Sequence, residues 1–306
     1  MFRAIFIALS ESRALRGVAE RSRIGRRLSG RFVAGMTVEQ ALEATAATNG
    51  RGMSVSVDNL GENVTNIEEA RESEHLYHEL IDQIVGRKLD ANVSLKLTHM
   101  GLDVDESVSR TIVNELVAHA ARNDNFVRID MEGSPYTQKT LDIVRELHRQ
   151  PGNAGHVGAV IQAYLRRSMA DVESLCAEGI RIRLCKGAYK EPAEIAYQAK
   201  SEVDANFVEL MKVLLKSGTY HGIATHDPKM IDATIAFARA ENLRPDSFEF
   251  QMLYGVRRDL QEQLVRDGWR MRVYIPFGTE WYPYLMRRLA ERPANVLFIA
   301  KNLLRR

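Results

Sequence analysis

Short runs of β-branched and aliphatic residues alternate with longer amphipathic segments along most of this chain. The predicted strands are Met53–Val57, Asn92–Leu97, Phe126–Asp130, Val157–Gln162, Arg181–Cys185, Gly222–Thr225, Phe248–Gln251 and Met271–Ile275. The predicted helices cover residues 66–88, 106–122, 136–149, 168–178, 193–216, 228–241, 255–267 and 281–292. Strict alternation of strands and helices requires parallel pairing through right-handed crossovers. Eight such units in about 240 residues favour a closed (β/α)8 TIM-type barrel over an open doubly wound sheet.

The residues ahead of the first predicted strand have a different character. They are rich in arginine, and Thr37 followed by Gln40 matches a capping box at a helix start. We therefore divide the chain into an N-terminal helical arm, residues 1–50, and a barrel catalytic domain, residues 51–306. The arm either packs on the barrel or presents a basic amphipathic surface to a membrane or a partner.

Composition and charge exclude several classes of protein. The chain has 42 Lys and Arg against 40 Asp and Glu, a formal charge of +2, so it carries no global field for nucleic acid. No apolar run approaches the roughly 20 residues that span a bilayer, and no secretory cleavage pattern follows the apolar N-terminus. The two cysteines are too few for a disulfide framework and predict an intracellular, cytoplasmic protein. Neither a Gly-x-Gly-x-x-Gly nor a Walker A sequence is present, which disfavours a classical dinucleotide fold.

Polar side chains end nearly every predicted strand. In a (β/α)8 barrel these ends meet at one rim, where the active site lies. The rim candidates are Lys96, Asp130, Glu132, Gln162, Arg183, Lys186, Thr225, His226, Asp227, Gln251 and Tyr274. Such a set predicts an enzyme rather than a purely structural barrel.

The segment after the last strand predicts a carboxylate receptor. On a helix, Tyr284 and Glu291 lie within one turn of the adjacent Arg287 and Arg288. Two guanidiniums near an aromatic ring suit one carboxylate, because each can donate a forked pair of hydrogen bonds. The alternative is a solvated helix surface with intrahelical salt bridges.

The segment around the fifth strand predicts a second cationic site. Arg183 would point into the barrel lumen, Lys186 would lie at the rim, and Gly187 would let the backbone approach a ligand closely. Two cations at one mouth point to an anionic or electron-rich cofactor. The alternative is a lumen salt bridge between Arg183 and Asp130.

Taken together, these motifs resemble the proline dehydrogenases, a family of flavin-dependent barrels. The stretches that carry the resemblance are Val93–Leu97, Arg128–Glu132, Val160–Tyr164, Arg183–Tyr189, Ala224–Asp227, Phe248–Gly255 and Tyr284–Glu291, with Arg31–Gly35 in the arm. The resemblance implies a distorted barrel that holds FAD without a covalent bond. It further implies oxidation of L-proline to 1-pyrroline-5-carboxylate by hydride transfer to FAD, with electrons passed to a quinone.

The resemblance also implies roles for individual residues. The implied catalytic residues are Asp130, which holds charged neighbours in place, and Arg183, which lies beside the reactive flavin nitrogen. The implied substrate-binding residues are Lys96, Arg287 and Arg288 at the proline carboxylate, and Leu253, Tyr274 and Tyr284 around the ring. The implied FAD-binding residues are Met131, Gln162, Lys186, Gly187, Ala188, Thr225, His226 and Glu291.

Partners follow from the same resemblance. A quinone acceptor in a membrane would require peripheral contact with the bilayer, for which the first thirty residues are the candidate segment. Because the chain has no aldehyde dehydrogenase domain, we expect a separate enzyme to oxidise the product further. No nucleic acid partner is expected.

Other interpretations remain open at this point. Lys96 or Lys186 could form a Schiff base in a lyase or aldolase that acts on a small carboxylate. The chain could also be a non-enzymatic barrel with a basic partner-binding arm. His75 and His78 lie one helical turn apart, but no third ligand is evident nearby, so we predict a surface or capping role and no metal site.

Overall fold

Eight parallel strands close into a barrel in chain order, and β1 pairs with both β2 and β8. The computed structural model describes residues 29–61 and 64–291, and side chains only as far as residue 286. The strands are β1 (Ser54–Asn59), β2 (Ala91–Leu95), β3 (Val127–Ile129), β4 (Val157–Gln162), β5 (Arg181–Cys185), β6 (His221–Ala224), β7 (Phe248–Leu253) and β8 (Met271–Phe277). The helices are α1 (Val38–Asn49), α2 (Ile67–Gly86), α3 (Glu106–Arg122), α4 (Ser134–Arg149), α5 (Ser168–Ala177), α6 (Lys200–Lys216), α7 (Pro228–Ala240), α8 (Arg258–Arg266) and α9 (Trp281–Glu291). The predicted (β/α)8 barrel is confirmed.

Side-chain alternation along each strand separates an apolar outer layer from a polar lumen. On β1, Val55 and Val57 join the main hydrophobic core, where the strands pack against the helices. Ser56 and Asp58, on the opposite face, are buried among polar groups of other strands. A strand turns successive side chains to opposite faces, so one segment serves both the core and the site.

Two helices, α1 and α9, make the barrel irregular. The first helix, α1, packs against β8 and β1, the position that an eighth crossover helix covers in a regular barrel. The last of the described helices, α9, instead packs with Phe32, Val33 and Leu60. Leu60 directly follows β1, at the carboxyl edge of the barrel. The final helix therefore lies at the rim where the strand ends meet.

Two predicted helices begin later than the sequence pattern indicates. The helix predicted from residue 193 begins at Lys200, because the preceding segment pairs with the loop after β4. There the backbone N–H of Arg166 donates to Ile195 O at 2.9 Å, and that of Tyr197 donates to Tyr164 O at 2.8 Å. The helix predicted from residue 255 begins at Arg258, because Arg257 has a left-handed backbone with φ of 52°.

The predicted arm is only partly visible. Residues 1–28, which carry its arginine-rich part, lie outside the described residues, so the division at residue 50 stays a prediction. Among the helices that the structure does describe, none is both long and apolar enough to cross a membrane.

The predicted capping box at the start of α1 is present. The Oγ1 of Thr37 accepts from the Gln40 N–H at 3.3 Å, and Gln40 Oε1 accepts from the N–H groups of Met36 at 2.7 Å and Thr37 at 3.3 Å. We expect Thr37→Ala to lower the free energy of unfolding by about 1 kcal/mol, because an N-terminal N–H loses its partner. Urea unfolding of this variant and of Thr37→Ser, which keeps the hydroxyl, measures the effect. An equal loss in both variants would contradict the capping role.

Candidate active site

Arg183 is the centre of a buried hydrogen-bonded network in the barrel lumen. Its Nη1 donates to Asp130 Oδ1 at 2.7 Å and to Ser94 Oγ at 3.2 Å. Its Nη2 donates to Ser56 Oγ at 3.3 Å, and its Nε donates to Gln251 Oε1 at 2.5 Å. Partners on four other strands or strand ends fix the plane of the guanidinium. The salt bridge to Asp130, an alternative left open by the sequence, is present.

Asp130, directly after β3, is a well-compensated buried anion. Besides Arg183, it accepts from Ser94 Oγ at 2.9 Å and from Tyr274 Oη at 2.8 Å, and Lys96 Nζ lies 3.5 Å away. Burial raises the pKa of Asp130, but the charges of Arg183 and Lys96 outweigh it, and the pKa lies below its usual value. Burial raises the pKa of Tyr274 well above its usual value, so its hydroxyl remains a donor.

Asp58 is a site residue that the sequence analysis missed. Its carboxylate is 1% exposed and lies 3.3 Å from Lys96 Nζ. Burial raises its pKa to about 6; Lys96 opposes this shift and the negative charge of Asp130 adds to it. The predicted first strand ended at Val57, whereas β1 continues to Asn59 and keeps Asp58 on the lumen face. The alternation Ser54, Ser56, Asp58 was the signal that could have found it.

A second layer of charges lies beneath this network and was also missed. Arg272 Nε donates to Glu249 Oε1 at 2.7 Å, and Gln251 Nε2 donates to the same oxygen at 2.6 Å. Gln251 therefore links Arg183 to a fully buried ion pair. Charge-assisted bonds of this kind hold the upper network in one geometry.

Backbone is exposed where β4 and β5 end, at Gly187 and Ala188, and we call this surface the ledge. Gly187 has φ of +121°, and a Cβ there would lie 2.2 Å from the Tyr164 ring, so the position requires glycine. Gly187 and Ala188 are exposed at the rim. Gln162 supports the ledge from below: its Oε1 accepts from the Ala188 N–H at 3.2 Å, and its Nε2 donates to Glu132 O at 3.0 Å.

Lys186 lies beside this ledge in a cluster of charges. Its Nζ contacts Asp204 at 2.5 Å and Asp227 at 2.7 Å, and the exposed Lys200 contacts both carboxylates. Thr225 Oγ1 accepts from the Asp227 N–H at 3.1 Å. The contact between Asp204 and Lys186 was not predicted, because sequence alone does not say which face of α6 meets the rim.

The remaining predicted site residues lie around the same rim. Met131 is buried directly after Asp130, and His226 Nε2 accepts from the Leu253 N–H at 2.9 Å. Leu253 pairs in register with Tyr274 on β8, and both are half-buried. Tyr284 is buried on α9 with its aromatic neighbours. The structure thus brings these side chains to one edge of the barrel.

Arg287, Arg288 and Glu291 belong to α9, but their side chains lie outside the described residues. The carboxylate receptor and the FAD contact of Glu291 therefore stay predictions. The backbone of Arg287, Arg288 and Glu291 follows Tyr284 within two helical turns, in the helix that packs at the carboxyl edge of the barrel.

The two lysines at the rim do not favour Schiff-base chemistry. Lys96 contacts Asp58 and Asp130, and Lys186 contacts Asp204 and Asp227. A Schiff base requires a neutral amine, and neutralising either lysine would remove a positive charge from beside two carboxylates.

The histidine motif lies away from this rim. His78 on α2 contacts His119 on α3, with 2.5 Å between their Nδ1 atoms, and His119 Nε2 contacts Asp82 at 2.8 Å. Among the residues that the structure describes, no group of three side chains is arranged to hold a metal ion.

Comparison with known proteins adds independent support. The sequence model of the proline dehydrogenase family matches residues 41–301. The chain is 40% identical over 301 residues to proline dehydrogenase 2 of Bacillus subtilis, covering 98% of both proteins. It is 40% identical over 281 residues to the proline dehydrogenase of Deinococcus radiodurans, covering 91% of this chain and 90% of that one.

A solved structure shows the same fold. Proline utilization A from Bdellovibrio bacteriovorus, inactivated by N-propargylglycine, matches with a TM-score of 0.84 and 26% identity. The match covers 95% of this chain and 36% of that longer protein. Similarity to the Bacillus and Deinococcus enzymes over nearly the whole chain, on a shared barrel, shows that the chain belongs to the proline dehydrogenase family.

Proposed function

We propose that this protein oxidises L-proline to 1-pyrroline-5-carboxylate, with non-covalently bound FAD as hydride acceptor and a quinone as final electron acceptor. The observation that carries the proposal is the fixed guanidinium of Arg183, which Asp130, Ser94, Ser56 and Gln251 hold in the lumen below the rim. A preorganised cation of this kind stabilises negative charge that develops during a reaction.

The residues at the ends of β4, β5 and β6 fit a dinucleotide cofactor. Gly187 and Ala188 expose backbone at the rim, and Lys186 supplies a cation beside them. We assign FAD binding to this ledge, together with Met131, Gln162, Thr225, His226 and Glu291. When bound, FAD supplies the acceptor for the hydride.

The protein's own groups would orient the substrate. Leu253, Tyr274 and Tyr284 would enclose the pyrrolidine ring, while Arg287, Arg288 and Lys96 would hold its carboxylate. Hydride loss from the carbon beside the ring nitrogen yields an iminium, so the amine must be unprotonated and the ring correctly placed. Asp130 would act by holding Arg183 and Lys96 in position.

The partner assignments belong to the same proposal. A membrane quinone would be reached by peripheral contact from a cytoplasmic protein, with the arginine-rich segment before residue 28 as the candidate surface. A separate aldehyde dehydrogenase would oxidise the product further.

The decisive experiment is spectroscopic. We expect the purified protein to be yellow, to lose its flavin absorbance on anaerobic addition of L-proline, and to regain it on addition of a water-soluble quinone. Pyrrolidine, which lacks the carboxylate, is the matched control and should bleach the protein far more slowly. A colourless protein that cannot be reconstituted with FAD would contradict the proposal.

A further inference from the structure

Lys96 lies between two buried carboxylates that have very different surroundings. Asp130 accepts hydrogen bonds from Arg183, Ser94 and Tyr274, all at 2.7–2.9 Å. Asp58 has Lys96 Nζ at 3.3 Å from Oδ2 and 3.4 Å from Oδ1. Charge-assisted bonds are usually about 2.7–2.9 Å long, so Asp58 is the less compensated anion of the two.

The other groups around Asp58 do not replace this lysine. The Tyr77 hydroxyl, from α2, lies 3.5 Å from Asp58 Oδ1 but donates to Ser94 O at 2.7 Å. Tyr274, from β8, donates to Asp130 and also lowers the pKa of Asp58, whereas the negative charge of Asp130 raises it. Lys96 is thus the main source of positive charge for Asp58.

The two carboxylates therefore titrate in different ranges. Burial raises the pKa of Asp58 to about 6, while the pKa of Asp130 lies below its usual value. Paired carboxyl groups whose environments separate their pKa values take different protonation states at one pH. Asp130 stays an anion near neutrality, and Asp58 changes its charge there.

We propose that Asp58 is a positioning residue that couples binding of a carboxylate ligand at Lys96 to uptake of one proton. The inference rests on the proposed function, in which Lys96 approaches the substrate carboxylate. An anionic Asp58 competes with that carboxylate for the Lys96 ammonium and repels it. A neutral Asp58 removes both effects, and by reciprocity a bound carboxylate favours the protonated form of Asp58.

The sign of the pH dependence follows from this coupling. Because the ligand-bound form holds its proton more tightly, affinity is weakest where Asp58 is anionic in both forms. Affinity rises as the pH falls toward the pKa of the ligand-free form, near 6, and then levels off. A coupling of one pKa unit would tighten binding about tenfold between about pH 8 and about pH 5.

Tetrahydro-2-furoate is a suitable probe, because its ring oxygen replaces the amine and it can be neither protonated there nor oxidised. Calorimetry of the FAD-loaded enzyme, in buffers of different ionisation enthalpy, measures both affinity and proton uptake. We expect the roughly tenfold tightening and net proton uptake in the parent protein. Asp58→Asn, which is permanently neutral, should bind with little pH dependence and no uptake. Asp232→Asn, which removes an exposed carboxylate on α7, should behave like the parent.

A second measurement reports on Asp58 without any ligand. The infrared carbonyl band of a protonated carboxylic acid should titrate near pH 6 in the parent protein and be missing from Asp58→Asn. Equal pH dependence of binding in the parent and in Asp58→Asn would overturn the coupling, and so would the absence of this infrared band. Failure of the proposed function is recognised separately, as an FAD-loaded protein that proline does not bleach.

Discussion

Replacing Arg183 by alanine should slow reduction of the bound flavin by proline about 10²–10³-fold, the usual cost of removing a preorganised donor at a developing charge. The guanidinium is held by Asp130, Ser94, Ser56 and Gln251, so no neighbouring cation can take its place in the same geometry. Rapid mixing at saturating proline measures the rate, and a proline titration separates it from binding.

Two further variants serve as controls for Arg183→Ala. Removing one partner of a buried ion pair costs about 3–5 kcal/mol of stability, so unfolding and flavin content must be measured alongside. Arg183→Lys keeps the charge and tests how much the forked geometry adds. Ser56→Ala removes the longest bond to the guanidinium, 3.3 Å, together with the bond that the Ser56 hydroxyl donates to Asn92 Oδ1. It should leave the rate within a few-fold. An unchanged reduction rate in Arg183→Ala would refute its role.

Arg287→Met and Arg288→Met should each raise the KM for proline by roughly ten- to a hundredfold. A charged hydrogen bond contributes about 1.5–3 kcal/mol, and every 1.4 kcal/mol is a factor of ten in affinity. Flavin content should persist, because these residues are assigned to the carboxylate and not to FAD. Steady-state kinetics and flavin absorbance measure the two effects.

Arg149→Met is the matched control for this pair. Its side chain is 68% exposed on α4, where it contacts Glu178 on the outside of the barrel. It should leave the KM unchanged. Unaltered KM values in both Arg287→Met and Arg288→Met would show that the carboxylate is held elsewhere.

The sequence predicted the barrel well, because its periodic pattern is local. β4 and β5 were predicted residue for residue, and other strand boundaries moved by one or two positions. The errors at the starts of α6 and α8 have non-local or conformational causes. The segment before α6 pairs with the loop after β4, and Arg257, just before α8, adopts a left-handed backbone that no side-chain pattern signals.

The site was predictable only in part. Residues such as Arg183 and Asp130 stood out because polar groups at strand ends are unusual. Their serine partners, Ser56 and Ser94, did not, because these contacts depend on closure of the barrel. Ser56 and Arg183 are 127 positions apart, and serine in a strand gives no indication of a cation opposite. Asp58 was lost because a misplaced strand end assigned it to a loop.

Because α1, and not α9, covers the position of an eighth barrel helix, these two helices have separate roles in the fold. In a regular barrel the eighth helix must seal the seam between the last and first strands, and its sequence is constrained by that packing. Here α1 seals the seam, packed against β8 and β1. The packing that closes the barrel is therefore separate from the packing of α9 at the rim. Under the proposed function, substitutions in α9 can change ligand binding without opening the seam between β8 and β1.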